Sequence, residues 1–207
     1  MKKLVVLLLA SLIASSAFAV MDPDPNGIGI YFDLTADDNC KMVGASMPFN
    51  AYLILTNTDA PTVSAYEVGY TNVVPAGMES LLFRLSSTIA NGVVSGLDLG
   101  NSSDILAGDH IVGLAAPLVS GPATVLHAWQ YMLLSPTVTM EMYISSASQS
   151  SIPGIYPVIL NAETSTLFQA FHSTGIAGDM PVATVNIVDC VVGVENASFG
   201  SVKSLFR

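Results

Sequence analysis

Short apolar runs, ten in all, recur along the chain and each is closed by Gly, Pro, Asn, Asp or Ser. They are Ile28 to Asp33, Phe49 to Asn57, Val63 to Tyr70, Leu81 to Leu85, His110 to Ala115, Ala123 to Leu134, Val138 to Ser145, Tyr156 to Leu160, Leu167 to His172 and Val182 to Val188. All are rich in branched and aromatic residues, the composition that suits a pleated surface. The longest run alternates most clearly. Val125, His127, Trp129, Tyr131 and Leu133 share one predicted face, and Leu126, Ala128, Gln130 and Met132 the other. Both faces are largely apolar, which marks a central strand. No window carries the 3.6-residue period of an amphipathic helix between these runs, so the pattern predicts an all-β antiparallel sandwich of two sheets, with a closed barrel as the alternative. Ser145 to Ser151 and the Gly-bearing stretch Asn91 to Asp109 are predicted as surface loops inside one domain.

The start of the chain has a different character. Lys2 and Lys3 precede an apolar run from Leu4 to Ile13, and Ala17-Phe18-Ala19 offers small residues where a signal peptidase cuts. The run is too short for a spanning helix. The predicted organisation is therefore a signal peptide over 1–19, a β-sandwich over 20–193 and a C-terminal tail over 194–207. Export to the periplasm, the cell surface or the medium follows. Val20, rather than a cysteine, after the cut argues against a lipid anchor, and the cleaved product is not expected to be an integral membrane protein.

Charge narrows the partners. The whole chain has a formal net charge of −10, and loss of Lys2 and Lys3 leaves four cations against sixteen carboxylates, or −12. Without Lys/Arg clusters, nucleic acid is excluded as a partner, and so is electrostatic docking on anionic lipid. Cys40 and Cys190 are the only cysteines. In an exported chain a pair is expected to form a disulfide, since two thiolates without a nearby histidine do not complete a zinc shell; two buried free thiols are the alternative.

Several blocks carry a resemblance: Gly29-Ile30-Tyr31-Phe32-Asp33, Phe49 through Asn57, Ser151-Ile152-Pro153-Gly154, Pro181 through Asn186 and the terminal Val194 through Arg207. Together they resemble a group of uncharacterised exported bacterial proteins that end in Trp-Gly followed by an apolar-Lys-Ala-Leu-Tyr-Arg tail, with Phe199, Ser204 and Phe206 standing at the three departures. The resemblance implies a cohesin-like or immunoglobulin-like β-sandwich and carries no activity with it. In the tail, Ser198 can cap a short helix that places Phe199, Val202, Leu205 and Phe206 on one side and Lys203 and Arg207 near its C-terminus. The stripe either packs as an ordinary tail or serves as a surface-docking or sorting signal.

Candidate chemistry is sparse. Asp22, Asp24, Asn26, Gly27 and Asp33 match calcium-loop spacing in part, but Pro23 and Pro25 stiffen the loop and no helix can precede it, so a solvated tail with an Asn26-Gly27 turn is expected. Asp98, Asn101, Asp104 and Asp109 follow no known ligand spacing. His110, His127 and His172 are isolated in sequence, and Asp109 and His110, as strand neighbours, point to opposite faces. No nucleophile elbow, phosphate loop or dinucleotide fingerprint occurs. No catalytic, metal or cofactor site is therefore assigned. The expected protein is a non-catalytic module with a structural or adhesive role at the cell surface or beyond. A carbohydrate- or protein-binding module, with a cell-surface protein or glycan as partner, is the alternative, and a secreted hydrolase comes third. His127, Trp129 and Tyr131 are expected to form a core stripe, with the His127 ring bonded to a backbone carbonyl; exposed Trp129, Tyr131 or Tyr143 would instead mark a ligand platform.

Overall fold

The structure is a computed structural model and describes residues 25–174 and 178–188. Among these, thirteen strands form two sheets. Strands β1 (Gly27–Tyr31), β3 (Pro48–Thr56), β5 (Leu82–Ile89), β8 (Ala123–Leu133) and β12 (Phe171–His172) make the five-stranded sheet, in the order β12-β1-β3-β8-β5. The eight-stranded sheet contains β2 (Cys40–Lys41), β4 (Thr62–Val73), β6 (Gly96–Asp98), β7 (Ala107–Val119), β9 (Met140–Ser145), β10 (Val158–Asn161), β11 (Thr166–Gln169) and β13 (Ala183–Val185). Its centre is β4. One edge of β4 pairs with β7, which in turn holds β6; the other edge pairs first with β10 and then with β9. Both sheets are open at their edges, so the architecture is a sandwich and not a closed barrel.

The ten predicted runs all carry strands, and β2 and β6 are additions that the pattern did not show. Both are too short for alternation to register. β6 turns part of the predicted Gly-bearing loop into a strand zipped to β7, with Leu97 opposite Gly113 and Asp98 opposite Val112. The run Leu167 to His172 is split. Leu167 pairs with Leu160 in the large sheet, whereas Phe171 and His172 pair with Gly27 and Ile28 in the small one. Buried Ala170 is the crossing point between sheets. The sandwich is also not wholly antiparallel: β12 lies parallel to β1, and β2 parallel to β13, by two residue pairs each.

The core fills the space between the sheets. Ile28, Ile30, Leu53, Leu55, Trp129, Tyr131 and Leu133 from the small sheet meet Tyr66, Val68, Met140, Met142 and Ile144 from the large one. Strand β8 lies between β3 and β5, the central position its two apolar faces predicted. Its face assignment needs one correction. A register shift between Leu53 and Ile54 places Leu53 opposite His127 but Ile54 opposite Val125, leaving Leu126 as an extra residue. Such a bulge reverses the alternation. Leu126 therefore joins the core with Trp129, Tyr131 and Leu133, whereas Val125 moves out to a smaller cluster with Tyr31, Tyr52 and Ile54.

No helix among the described residues is long and apolar enough to cross a membrane. The predicted signal peptide, Cys190 and the tail residues Phe199, Val202, Lys203, Leu205, Phe206 and Arg207 lie outside the described residues.

Candidate functional site

Strand alternation sends Asp109 outward and His110 inward, as adjacent residues on β7 must point. Inside, His110 is not isolated. Its Nδ1 lies 2.6 Å from Asp98 Oδ2 on neighbouring β6. Trp129 Nε1, an obligate donor, points at His110 Nε2 from 3.2 Å across the sandwich. His110 Nε2 therefore accepts, the ring proton sits on Nδ1, and Nδ1–H donates to Asp98. Burial pushes the Asp98 carboxyl upward, but the bonds from His110 and from the Gly100 and Ile111 amides outweigh it and hold the pKa at about 2.

A second imidazole lies on the first. The His127 and His110 rings stack with centroids 4.0 Å apart. His127 Nδ1 meets the Tyr66 hydroxyl at 2.8 Å, and Nε2 meets Ser87 Oγ at 2.7 Å. The expected backbone carbonyl partner is thus replaced by two side-chain hydroxyls. Burial, and then His110, drive the His127 pKa down to about 2. Ser87 is exposed and touches a histidine, yet this ring has no carboxylate behind it and takes up no proton near neutral pH. Both nitrogens are occupied. The stack does structural work: it ties Tyr66, Asp98 and His110 of one sheet to Ser87, His127 and Trp129 of the other through hydrogen bonds that a dry interior strengthens. Trp129 and Tyr131 are 1% and 0% exposed, so neither is a ligand platform.

The polar side chains of the two candidate calcium loops are held by nearby amides and hydroxyls. Asp33 accepts from the Asp37 amide and the Thr35 hydroxyl, Asp104 from the Leu106 amide, and Asn101 from Ser103 Oγ. Asp109 accepts from the Asn101 and Ser148 amides and from Ser148 Oγ. Among the described residues, no three His, Cys, Asp or Glu side chains gather where a metal ion could sit.

The outer face of the large sheet is only partly covered. Part of it is roofed by the polar loop that follows β9. Glu67 accepts from the amide and hydroxyl of Ser151, and Asp109 holds Ser148 in the same way. The loop lies so close that a Cβ on Gly69 would come within 2.5 Å of the Ser146 carbonyl oxygen. This explains a glycine in the middle of a long strand. Replacing Asp109 with Ala is expected to leave these amides unpaired, to cost about 1–3 kcal/mol, and to speed hydrogen exchange in residues 146–155 first.

Beyond the roof, side chains on five neighbouring strands line up. Leu97 of β6 is opposite Gly113 of β7, Gly113 opposite Ala65 of β4, Ala65 opposite Leu160 of β10, and Leu160 opposite Leu167 of β11. The row is uncharged. Leu97 and Leu167 at its ends are 64% and 42% exposed, and open space lies over Gly113, so the centre is a shallow trough. Exposed Leu99, bonded through its amide to the Ile111 carbonyl, widens the row on one side. At the other end of the same sheet, Thr71, Val73, Tyr143, Ser145, Gly178 and Asp179 line a groove with a cavity volume of about 340 Å³.

The leucine row could not be seen in the chain, because it depends on β6 and on the order in which the strands pair. The Asp98–His110 contact was hidden for the same reason. The available signal was an Asp two residues after Gly96, followed by a histidine at the head of an apolar run.

No family model matches the sequence, and no curated protein matches it. Solved structures do match. A type II cohesin domain from the cellulosome of Acetivibrio cellulolyticus superposes with a TM-score of 0.51 at 11% identity, covering 78% of this chain and 96% of that one. The sixth cohesin of scaffoldin B from the same organism, crystallised in complex with a dockerin, gives 0.50 at 12% identity over 78% and 97% of the two chains. The second type II cohesin module of its adaptor scaffoldin ScaA gives 0.51 at 8% identity over 84% and 98%. The chain therefore has a cohesin-like β-sandwich fold.

Proposed function

We propose that this chain is an exported, non-catalytic protein-binding module with a structural or adhesive role at the cell surface or outside the cell, and that its partner docks across the Leu97–Leu167 row. The carrying observation is the row itself. It is an apolar, uncharged band five strands wide and left open to solvent, on a sheet whose other face is fully used by the core. Interface centres have this character: they are depleted in charge and form flat, rigid ground against which a partner can exclude water. The charges nearby are acidic, with Glu67 one row away and Glu163 in the β10–β11 turn, so a fitting partner carries apolar side chains flanked by Lys or Arg. The cohesin-like fold supports the reading, since one of the similar structures was crystallised with a protein bound to its cohesin.

The buried histidine stack argues against a hydrolase, because its only exposed hydroxyl, on Ser87, faces a ring that stays neutral and is held on its other side by Tyr66. Export rests on the amino-terminal pattern of the sequence. The proposed disulfide between Cys40 and Cys190 suits an oxidising destination. Its support is that Cys40 lies beside Thr184, which leaves six residues of chain to bring Cys190 back to it.

The test uses immobilised full-length mature chain and the exported protein fraction of the producing cells. The wild type is expected to retain a partner that a Leu97→Asp, Leu167→Asp double variant releases, with thermal unfolding unchanged between the two. Equal retention by both chains would remove the row from the account.

A further inference from the structure

The groove at the β4–β9 end of the large sheet is separate from the leucine row. Its floor is made by the outward residues of two paired strands: Thr71 lies opposite Tyr143, Val73 opposite Glu141 and Gly69 opposite Ser145. Gly178 and Asp179 form a wall.

The orientation of Tyr143 matters most. Its hydroxyl donates to Glu141 Oε2 at 2.8 Å, and Glu141 is the preceding residue on the same face of β9. To reach two residues back along a strand, a distance of about 7 Å, the ring must lie along the strand and not stand up from it. The ring is half-buried and borders the cavity. Beside it are the hydroxyls of Thr71 and Ser145 and the carboxylates of Glu141 and Asp179. Lys41 and Arg84 are the only Lys or Arg side chains among the described residues. Arg84 is committed to Tyr70 and the Ser102 carbonyl, and the Lys41 ammonium lies 5.8 Å from the centre of the Phe32 ring.

These features select a ligand by exclusion and by fit. Phosphate, sulfate and carboxylate ligands would meet two carboxylates and no cation. Ser145 Oγ already donates to the Ser146 carbonyl and Glu141 accepts from Tyr143, but a purely apolar ligand would strand the Thr71 hydroxyl and the Asp179 carboxylate. A neutral sugar meets both demands, because its rings present a C–H face that packs on an aromatic side chain and hydroxyls that donate to carboxylates. The volume is at the small end of the range for small-molecule sites, which suits the end of a glycan. We infer that the groove around Tyr143 is a binding site for a neutral sugar, with the ring as platform and Thr71, Ser145, Glu141 and Asp179 as hydrogen-bonding partners. The site does not depend on protein docking at the leucine row.

Saturation-transfer NMR on the full mature chain with maltose, cellobiose and lactose tests it. Transfer to the C–H protons of at least one of the three is expected. Tyr143→Phe keeps the platform and should bind within about threefold of the wild type, whereas Tyr143→Ala should weaken binding by about tenfold or more. The leucine-row double variant should bind sugar as the wild type does, so the two sites fail or survive independently. Absence of transfer from all three sugars overturns the inference, and so does undiminished binding by a folded Tyr143→Ala chain.

Discussion

Lowering the pH from 7 to 4.5 is expected to destabilise the domain by about 5 kcal/mol, a large share of the 5–15 kcal/mol that holds a typical domain together. Two buried histidines are responsible. Burial lowers the His172 pKa to about 4, and burial followed by His110 lowers that of His127 to about 2, from an ordinary value of 6.5. Between 6.5 and 4.5 the unfolded chain binds protons at both rings while the folded chain refuses them. Their contribution is therefore complete above pH 6.5 and shrinks as the pH falls, by about 2–3 kcal/mol for each ring at 4.5. His172 separates this effect from ordinary carboxylate titration. Neither of its ring nitrogens has a hydrogen-bond partner among the described residues, and its ring packs edge-on against Tyr156. His172→Phe removes a titrating group without breaking a hydrogen bond, so it should flatten the profile by about half and stabilise the domain at pH 5. Urea titrations at pH 7, 6, 5 and 4.5 measure both quantities. A level midpoint across that range, or an unchanged slope in His172→Phe, would show that the rings protonate in the folded state.

Reduction is expected to have an effect of the same size. A Cys40–Cys190 bond closes a loop of about 150 residues, for which the chain-entropy relation gives about 5 kcal/mol. It would also anchor β2, which pairs with β13 by only two residue pairs. Cys40→Ser should lower the urea midpoint to that of the reduced wild type, and reductant should then have no further effect on the variant. The oxidised chain should resist thiol alkylation under denaturing conditions. Ready alkylation without reductant would falsify the pairing. The reduced protein should open first at β2 and β13, since the centre of the sandwich holds most of its buried apolar area without them.

The strand runs were legible because a half-buried sheet writes its period directly into the chain. Tyr66, Val68 and Tyr70, and Met140, Met142 and Ile144, recur at every second position because that side of each strand is buried. The same logic separated Asp109 from His110 and kept Trp129 inside. What failed was whatever depended on a single residue of register. The extra residue at Leu126 exchanged the faces of Val125 and Leu126, and the buried Ala170 turned one apparent strand into two that serve different sheets. A period-two pattern carries no mark of where it skips.

The sequence by itself determined that this is an acidic, all-β chain with ten strand runs and no local catalytic or nucleic-acid motif. These properties depend on composition and on neighbours a few residues apart. Tertiary structure alone decided that Asp98, His110, His127 and Trp129 meet in the interior, that Leu97 and Leu167 end one apolar row, and that Tyr143 lines a groove. Each of these joins residues brought together by strand order, and strand order is set by how two sheets bury their apolar faces together, a condition that no stretch of the chain satisfies alone.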